Sequence, residues 1–396
     1  MSTHPPRDTW APPHPHTDSE PYYEAAFQGF AATFRHLGYA ATELKRPQNY
    51  VAPVARKAME PDAVHVSFTP PASIRLLKGA TNIAYFGADQ RTLLTGTSTN
   101  PFADPKRMLS LPREVWADSR FARDMLRREG IPHAQFMPMP LADVPPLATR
   151  NLTTLHRVRW KQLQIGFGRY ASVDPTNCQG YSIADIFSQH YAHVTPLVFL
   201  TVLDDTAGSS ELHSLIASFL EFHHQTPETL LLIQLSGRCA TRDGDTVSNF
   251  LRQRPFGFEI AQNRGIWLSG DDIPVATRGE LRQLIDGYIC NSSLPARNHH
   301  LLEYLVGGAI PIGPDCDALA EYITADTGIA FDSRAITPVS RITNALRDIA
   351  GLGTERRKSM QRRLRELLAE RHSMERVAKR VSARMAQLSA ESGGHR

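Results

Sequence analysis

A chain of 396 residues exceeds the length that one hydrophobic core usually supports, so two domains are expected. Hydrophobic residues make up 41% of the chain and charged residues 21%, which is typical of a globular protein. The net charge is only +4, and the basic residues are not interleaved with aromatic residues that stack on bases. This pattern argues against nucleic acid as a partner.

The cysteines and the apolar segments limit the compartment and the kinds of site. The cysteines are scattered without a CxxC pair, at Cys178, Cys239, Cys290 and Cys316. Such spacing indicates reduced thiols in a cytoplasmic protein and favours neither disulfides nor a zinc site. No apolar run approaches the roughly 20 residues that span a bilayer, and the N-terminus lacks the apolar segment of a signal peptide.

The first part of the chain alternates between predicted strands and helices. Residues 1–19 are rich in Pro and His and are expected to be a disordered tail. The periodicity predicts a helix from Pro21 to Leu37, then strands over 39–44, 62–68, 81–86 and 114–118 and a helix over 120–128. Short strands alternating with helices are typical of a parallel sheet with helices on its faces. We therefore expect a first Rossmann-like domain over residues 20–145.

A second alternation follows a less regular segment, 146–195, which we expect to connect two domains. Strands are predicted over 196–203, 229–235, 266–268, 288–290 and 309–312, with helices over 212–223 and 298–306. This pattern predicts a second Rossmann-like domain over residues 196–340. Ligands of open α/β sheets bind outside the carboxyl ends of the strands, so the site is expected in a cleft between the two domains.

The C-terminal residues, 341–396, are predicted to be helical, with helices over about 337–350, 354–370 and 373–388. From residue 354 onwards there are twelve Lys and Arg residues and five Glu residues, a surplus of +7. Two interpretations stay open. The basic residues form a solvated helix face, or they attract an anionic lipid surface or a phosphorylated acceptor. The second alternative implies peripheral contact with a membrane.

The motifs exclude several enzyme classes and favour one. The glycine-rich dinucleotide fingerprint, the P-loop and the GxSxG elbow are all missing from the sequence. The segment LPARNHHLLEYLVGGAIPIGP, over 294–314, resembles the donor-binding stretch of the retaining GT-B glycosyltransferases (group 1, family 4-like). Residues 76–89 and 114–131 resemble a region of their N-terminal domain. The resemblance spans about residues 62–330.

This resemblance implies an α/β fold in which two Rossmann-like domains face a cleft, and a cytoplasmic enzyme of polysaccharide biosynthesis. Such an enzyme transfers a sugar from a nucleotide-sugar donor to a glycan, a lipid-linked acceptor or a small molecule, with no cofactor and no bound metal. Glu303 would bond the ribose hydroxyls of the donor. Asn298 and the N–H groups of its loop would hold the phosphates or the sugar, helped by the dipole of the following helix.

The sequence also departs from the family where the donor diphosphate would bind. Ser209 and Ser210 occupy the positions of a usual Arg and Lys, Gln234 that of a further Lys, and Pro295 that of a first Glu. Fixed cations stabilise the charge of a departing diphosphate, so their loss is serious. Arg297 is a candidate to compensate, as are Arg238 and Arg264. The alternative is a non-catalytic GT-B-like protein that binds a glycan or activates a partner transferase.

Two residues of the first domain are candidates for the acceptor side. Asp89 follows a predicted strand at its carboxyl end and is expected either to contact an acceptor hydroxyl, as a base, or to cap a helix. His65 lies within a predicted strand and would either approach the acceptor or form a hydrogen bond within the core. The spacing of His299, His300 and Glu303 is compatible with a metal, but enzymes of this family typically need no bound metal, so no metal site is predicted.

Overall fold

The computed structural model describes residues 20–41, 43, 63–88, 91–93, 104–141, 158–165, 171–173, 180–203, 209–235, 265–270, 273, 275–290, 300–331 and 337–393. The first part of the chain forms a parallel sheet of four strands in the order β1-β2-β3-β4. Its elements are α1 (Glu20–His36), β1 (Val64–Ser67), β2 (Thr81–Phe86), α2 (Pro105–Ser110), β3 (Glu114–Ala117), α3 (Arg120–Arg128) and β4 (Ala134–Phe136).

The second part forms a sheet of eight strands in the order β12-β11-β10-β7-β8-β9-β5-β6. Its strands are β5 (Lys161–Ile165), β6 (Ala171–Val173), β7 (Leu197–Leu203), β8 (Thr229–Leu235), β9 (Ile266–Ser269), β10 (Gly287–Ile289), β11 (Ile310–Gly313) and β12 (Ile329–Ala330). Its helices are α4 (Ile183–His190), α5 (Ser209–Gln225), α6 (Val275–Leu281) and α7 (Leu301–Val306). The chain continues with α8 (Pro338–Gly351), α9 (Thr354–His372) and α10 (Met374–Gly393).

The central strands of the second sheet are apolar because helices cover both of their faces. Every residue of β8 is buried, and so is all of β7 except partly buried Leu197. The unbroken apolar runs LVFLTVL and TLLLIQL are typical of such strands. The sequence also indicates where α3 begins. The Ser119 hydroxyl accepts a hydrogen bond from the backbone N–H of Ala122 and so caps that helix.

The predicted architecture is confirmed: an α/β fold with parallel sheets and C-terminal helices. The strand predicted over 39–44 is wrong for residues 39–41 and 43, which form no strand. Gly38 has a φ of 80°, and the N–H of Tyr39 bonds to the carbonyl of Phe34, so these residues close α1 instead. The predicted N-terminal tail, 1–19, lies outside the described residues.

Part of the segment expected to be irregular joins the second sheet. Strand β5 pairs antiparallel with β9 and with β6, and α4 follows with a capping box between Ser182 and Asp185. The segment KQLQI of β5 has only two apolar residues, which alternate with polar ones. Its partner β9 lies about 100 residues further along the chain, so the pairing of β5 with β9 depends on the tertiary fold.

The last helix of the chain returns to the first sheet. Four side chains of α10 pack in one hydrophobic cluster with residues of α1 and of the first sheet, among them Tyr22, Phe30 and Trp116; the four are Val377, Val381, Met385 and Leu388. Meanwhile α8 packs against α5 on the second sheet. The C-terminal helices therefore connect the two sheets.

Many basic side chains of these helices are in ion pairs. The pairs are Arg356–Asp326, Lys358–Glu355, Arg363–Glu366, Lys379–Glu375 and Arg384–Glu114. This pairing reduces the positive charge that is available to a lipid surface and supports the interpretation as a solvated face. Across the described parts of the chain, no helix has the length and hydropathy that a membrane span requires. Peripheral membrane contact stays a prediction.

The close approach of α1 to the first sheet depends on a glycine. A Cβ at Gly87 would lie 2.7 Å from Cζ and 2.9 Å from the hydroxyl oxygen of Tyr22, whose ring is buried. We expect Gly87→Ala to lower the free energy of unfolding by about 1–3 kcal/mol through overpacking, as measured by urea denaturation. Gly279→Ala on α6 is the control: its Cβ meets nothing within 4 Å, so we expect no loss. Equal stability of the two variants would contradict the expectation.

Candidate functional site

The strand order of the second sheet creates a crevice at its carboxyl edge. Strands β7 and β10 are neighbours, although β8 and β9 lie between them in sequence. The helix that follows β7 packs in the cluster on one face of the sheet, and α7, which follows β10, packs in the cluster on the other face. The two connections therefore leave in opposite directions at this point. Such switch points are where open α/β sheets bind ligands.

One side of this crevice is the start of α5. Ser209 and Ser210 are the first two residues of that helix. The first N–H groups of an α-helix have no carbonyl partner within the helix and can bind an anion. Gln234, on β8, is buried close to the carboxyl end of that strand. Thus Ser209, Ser210 and Gln234 all lie near the same edge of the sheet.

The other side is the start of α7, which carries Glu303 in its first turn. Glu303 Oε2 lies 3.4 Å from Nη1 of Arg278 and 3.5 Å from Nδ1 of His300. Burial alone raises the pKa of Glu303. The hydrogen bond with His300 and the charges of Arg278 and Arg282 outweigh burial, and the pKa falls below its ordinary value. The carboxylate is therefore ionised at neutral pH.

Helix α7 also borders a small cavity between the two sheets. The cavity has a volume of about 20 Å³, and residues from both halves of the chain line it: Tyr22, Asp118, Ser119, Met139, Leu301, Leu302, Ala318, Leu319, Tyr322 and His372. Leu301 and Leu302 directly precede Glu303, so the start of α7 lies where the two sheets meet.

A buried carboxyl group on the first sheet lines this cavity. Asp118 follows β3 directly; its Oδ2 accepts a hydrogen bond of 2.5 Å from the Tyr22 hydroxyl, and its Oδ1 one of 2.9 Å from Ser119. Burial, together with the charge of Glu321, raises the pKa of Asp118 to about 7 against the lowering effect of these hydrogen bonds. Sequence reasoning missed Asp118, although its position between a buried strand and a helix cap was a signal.

A neutral histidine lies on the opposite wall. His372 Nδ1 is 2.9 Å from the carbonyl oxygen of Met139, which can only accept, so Nδ1 carries the proton. Nε2 then accepts a hydrogen bond of 2.9 Å from the Tyr322 hydroxyl. Burial lowers the pKa of His372 to about 4, although the bond to Met139 opposes the shift and Arg371 adds to it. Both nitrogens are therefore satisfied in the neutral form.

The remaining predicted site residues are not brought to this crevice by the described structure. His65 lies on β1, the edge strand of the first sheet, and its Nδ1 is 3.0 Å from Oδ1 of Asn82 on β2. This is the hydrogen-bonded arrangement that the sequence left open as an alternative. Asp89, Arg297 and Asn298 lie outside the described residues. Within the described ranges, no three His, Cys, Asp or Glu side chains form a group that could hold a metal.

Comparisons with known proteins identify the fold. No protein-family model matches the sequence, and a comparison with curated proteins finds no relative. Among solved structures, a glycosyltransferase from Rickettsia africae matches with a TM-score of 0.53 at 12% identity, over 93% of this chain and 94% of that one. The α,α-trehalose 6-phosphate synthase of Burkholderia multivorans matches with a TM-score of 0.52 at 12% identity, over 94% of this chain and 84% of that one.

A third solved structure is a mutant of TarM from S. aureus in complex with fondaparinux, alpha-GlcNAc-glycerol and UDP. It matches with a TM-score of 0.52 at 10% identity, over 84% of this chain and 57% of that one, so this chain spans little more than half the length of TarM. At these identities the comparisons show the fold. The switch point between β7 and β10 and the return of α10 to the first sheet agree with this fold. This chain has the GT-B fold, which it shares with these glycosyltransferases.

Proposed function

We propose that this chain is a glycosyltransferase that takes a sugar from a nucleotide-sugar donor. The observation that carries the proposal is the placement of Ser209, Ser210 and Glu303. These residues are far apart in sequence, yet they start the two helices that flank one switch point. The fold supports the same class of enzyme, and the TarM structure that it resembles contains UDP.

In this proposal the second sheet, with residues 196–340, forms the donor domain. Glu303 accepts hydrogen bonds from the ribose hydroxyls, because an ionised carboxylate is an acceptor with two oxygens. Ser209, Ser210 and the N–H groups of the first turn of α5 hold phosphate oxygens. Arg297 and Asn298 precede α7 in the sequence, a few residues before Glu303, and stay candidates for the sugar and the phosphates.

The acceptor is a glycan, a lipid-linked molecule or a small molecule that binds against the first domain, residues 20–145. Asp89 follows β2, and a carboxylate there would contact an acceptor hydroxyl as a base. His65 is the second candidate on that side. No cofactor or resident metal takes part in the proposed reaction.

The second candidate function is a non-catalytic GT-B-like protein that binds a glycan or activates a partner transferase. The observation that favours it is the uncharged edge formed by Ser209, Ser210 and Gln234. Without cations the developing charge of a diphosphate leaving group is less stabilised, and each charge-assisted hydrogen bond contributes about 1.5–3 kcal/mol. Detection of sugar transfer, or of slow hydrolysis of a nucleotide sugar, would exclude this candidate.

Calorimetric titration with a panel of nucleoside diphosphates tests the donor site. We expect at least one to bind at micromolar concentration and Glu303→Gln to weaken its binding about tenfold or more, because an amide replaces an ionised acceptor. Glu366→Gln is the control, since Glu366 is an exposed residue of α9 that pairs with Arg363. If the unaltered protein binds no nucleotide at millimolar concentration, the proposal is wrong.

A further inference from the structure

Two partly buried arginines flank Glu303. Nη1 of Arg278, on α6, lies 3.4 Å from Oε2 of Glu303. The stem of Arg282 passes beneath the end of α7: a Cβ at Gly307 would lie 2.8 Å from both Cβ and Cγ of Arg282. The glycine therefore allows Arg282 to approach α7 closely, and the charge of Arg282 acts on the carboxylate of Glu303. The two helices run side by side, because each precedes one of the parallel strands β10 and β11.

This arrangement has more positive than negative charge. The guanidinium group of Arg278 contacts the carboxylate of Glu303, and the charge of Arg282 acts on the same carboxylate from a greater distance. Within the described ranges, neither arginine forms an ion pair with an aspartate or a glutamate other than Glu303. One cation is therefore left uncompensated next to a half-buried site, where a charge interacts more strongly than in bulk water.

The hydrogen bonding of the two arginines is also incomplete. Nε of Arg278 and Nε of Arg282 are both buried, and within the described structure neither has a hydrogen-bond acceptor. A buried donor without a partner costs about 1–3 kcal/mol, and more when it is charged. Native proteins carry few such groups, and two at one place call for an acceptor from outside the chain. The acceptor that also balances the charge is an anion.

We propose that Arg278 and Arg282 bind the diphosphate of the nucleotide donor and so replace the cations that are missing at Ser209 and Ser210. This inference rests on the proposed function. A guanidinium group offers N–H donors in a planar fork that matches phosphate oxygens, and its charge is permanent. Glu303 holds the ribose beside the arginines, so one ligand contacts all three side chains.

Arg278 and Arg282 should contribute to the binding of a nucleoside diphosphate much more than to the binding of its nucleoside, which has no phosphate. Glu303 should contribute to both, because both contain the ribose. If the arginines only shaped the site, replacing them would weaken the binding of both ligands equally.

The test uses the full chain, the nucleoside diphosphate of the panel that binds most tightly, and its nucleoside. Calorimetry measures the first ligand and ligand-detected NMR the second, for Arg278→Met, Arg282→Met and the double variant. We expect each single variant to weaken the binding of the diphosphate at least tenfold and the binding of the nucleoside less than threefold. Arg278→Lys and Arg282→Lys, which keep the charge, should lose less. Arg356→Met is the control, since Arg356 is exposed and pairs with Asp326.

The possible outcomes separate this inference from the function on which it rests. If the unaltered protein binds the diphosphate and the arginine variants bind it equally well, the inference is wrong and the proposed function stands. An equal loss for diphosphate and nucleoside also overturns the inference. If no nucleotide binds the unaltered protein, both are wrong. Melting curves identify a variant that fails to fold, and the Lys variants then decide the question.

Discussion

Replacing Arg384 with Met is expected to lower the free energy of unfolding by about 3–5 kcal/mol. Arg384 lies on α10, and its Nε donates a hydrogen bond of 2.5 Å to Oε1 of Glu114, with a second bond from Nη2. Glu114 begins β3 and is only 2% exposed. Its Oε2 accepts a hydrogen bond from Nε1 of Trp116. Removing the guanidinium leaves a buried carboxylate without its cation, which costs far more than the loss of a surface pair.

Urea denaturation of the variant and two controls measures this effect. Lys379→Met breaks an exposed ion pair with Glu375 on the same helix, and we expect it to cost less than about 0.5 kcal/mol. The double variant Arg384→Met with Glu114→Gln removes the buried charge as well, so it should recover part of the stability. A loss below about 1 kcal/mol for Arg384→Met would show that Glu114 gains water or another partner.

The second large effect concerns pH, because the pKa of Asp118 is raised in the folded state and the pKa of His372 is lowered. The pKa of Asp118 is raised from 3.8 to about 7, so the folded state holds its proton more tightly. Its contribution to stability is complete below pH 3.8 and is lost as pH rises to about 7. The pKa of His372 is lowered from 6.5 to about 4. Its contribution is complete above pH 6.5 and is lost as pH falls to about 4.

Between about pH 4 and pH 6.5 the two contributions should cancel, since each changes by about 1.4 kcal/mol per pH unit. In His372→Gln only the Asp118 contribution remains, so stability should fall as pH rises. In Asp118→Asn stability should rise with pH over the same range. Gln and Asn keep hydrogen-bonding groups at both positions, which limits the structural loss. Glu321 and Arg371 also act on this pair and stay in both variants.

Urea denaturation at pH 4.5 and pH 6.5 measures how the free energy of unfolding of each protein changes with pH. The unaltered protein supplies the reference, because all other titrating groups contribute equally to the three proteins. We expect the two variants to differ from it by about 2 kcal/mol over this interval, in opposite directions. Identical pH dependence in all three proteins would show that neither group has a shifted pKa in the folded state.

The sequence predicts those parts of the fold whose signal is local. Strands β2 and β8 and helix α3 were predicted at their observed bounds, because buried parallel strands are unbroken apolar runs and Ser119 caps the helix. Strand β5 was missed, since its pattern alternates and its partner β9 is remote. The candidate site likewise contains residues with a local sequence signal and residues whose partners are remote in sequence. Glu303 was predicted from its motif, whereas Arg278 and Asp118 became candidates only through neighbours that the fold brings close.

The chain crosses between the two sheets twice, and the two crossings touch. It leaves the first sheet after β4 and returns to it where α9 ends and α10 begins, and the N–H of Leu141 bonds to the carbonyl of His372 at 2.8 Å. Two adjacent covalent connections act as a hinge, so we expect the sheets to rotate about this line instead of sliding past each other. The exposed ion pair between Arg91 and Asp317, contributed by opposite halves of the chain, would then be a contact that such a rotation stretches or closes.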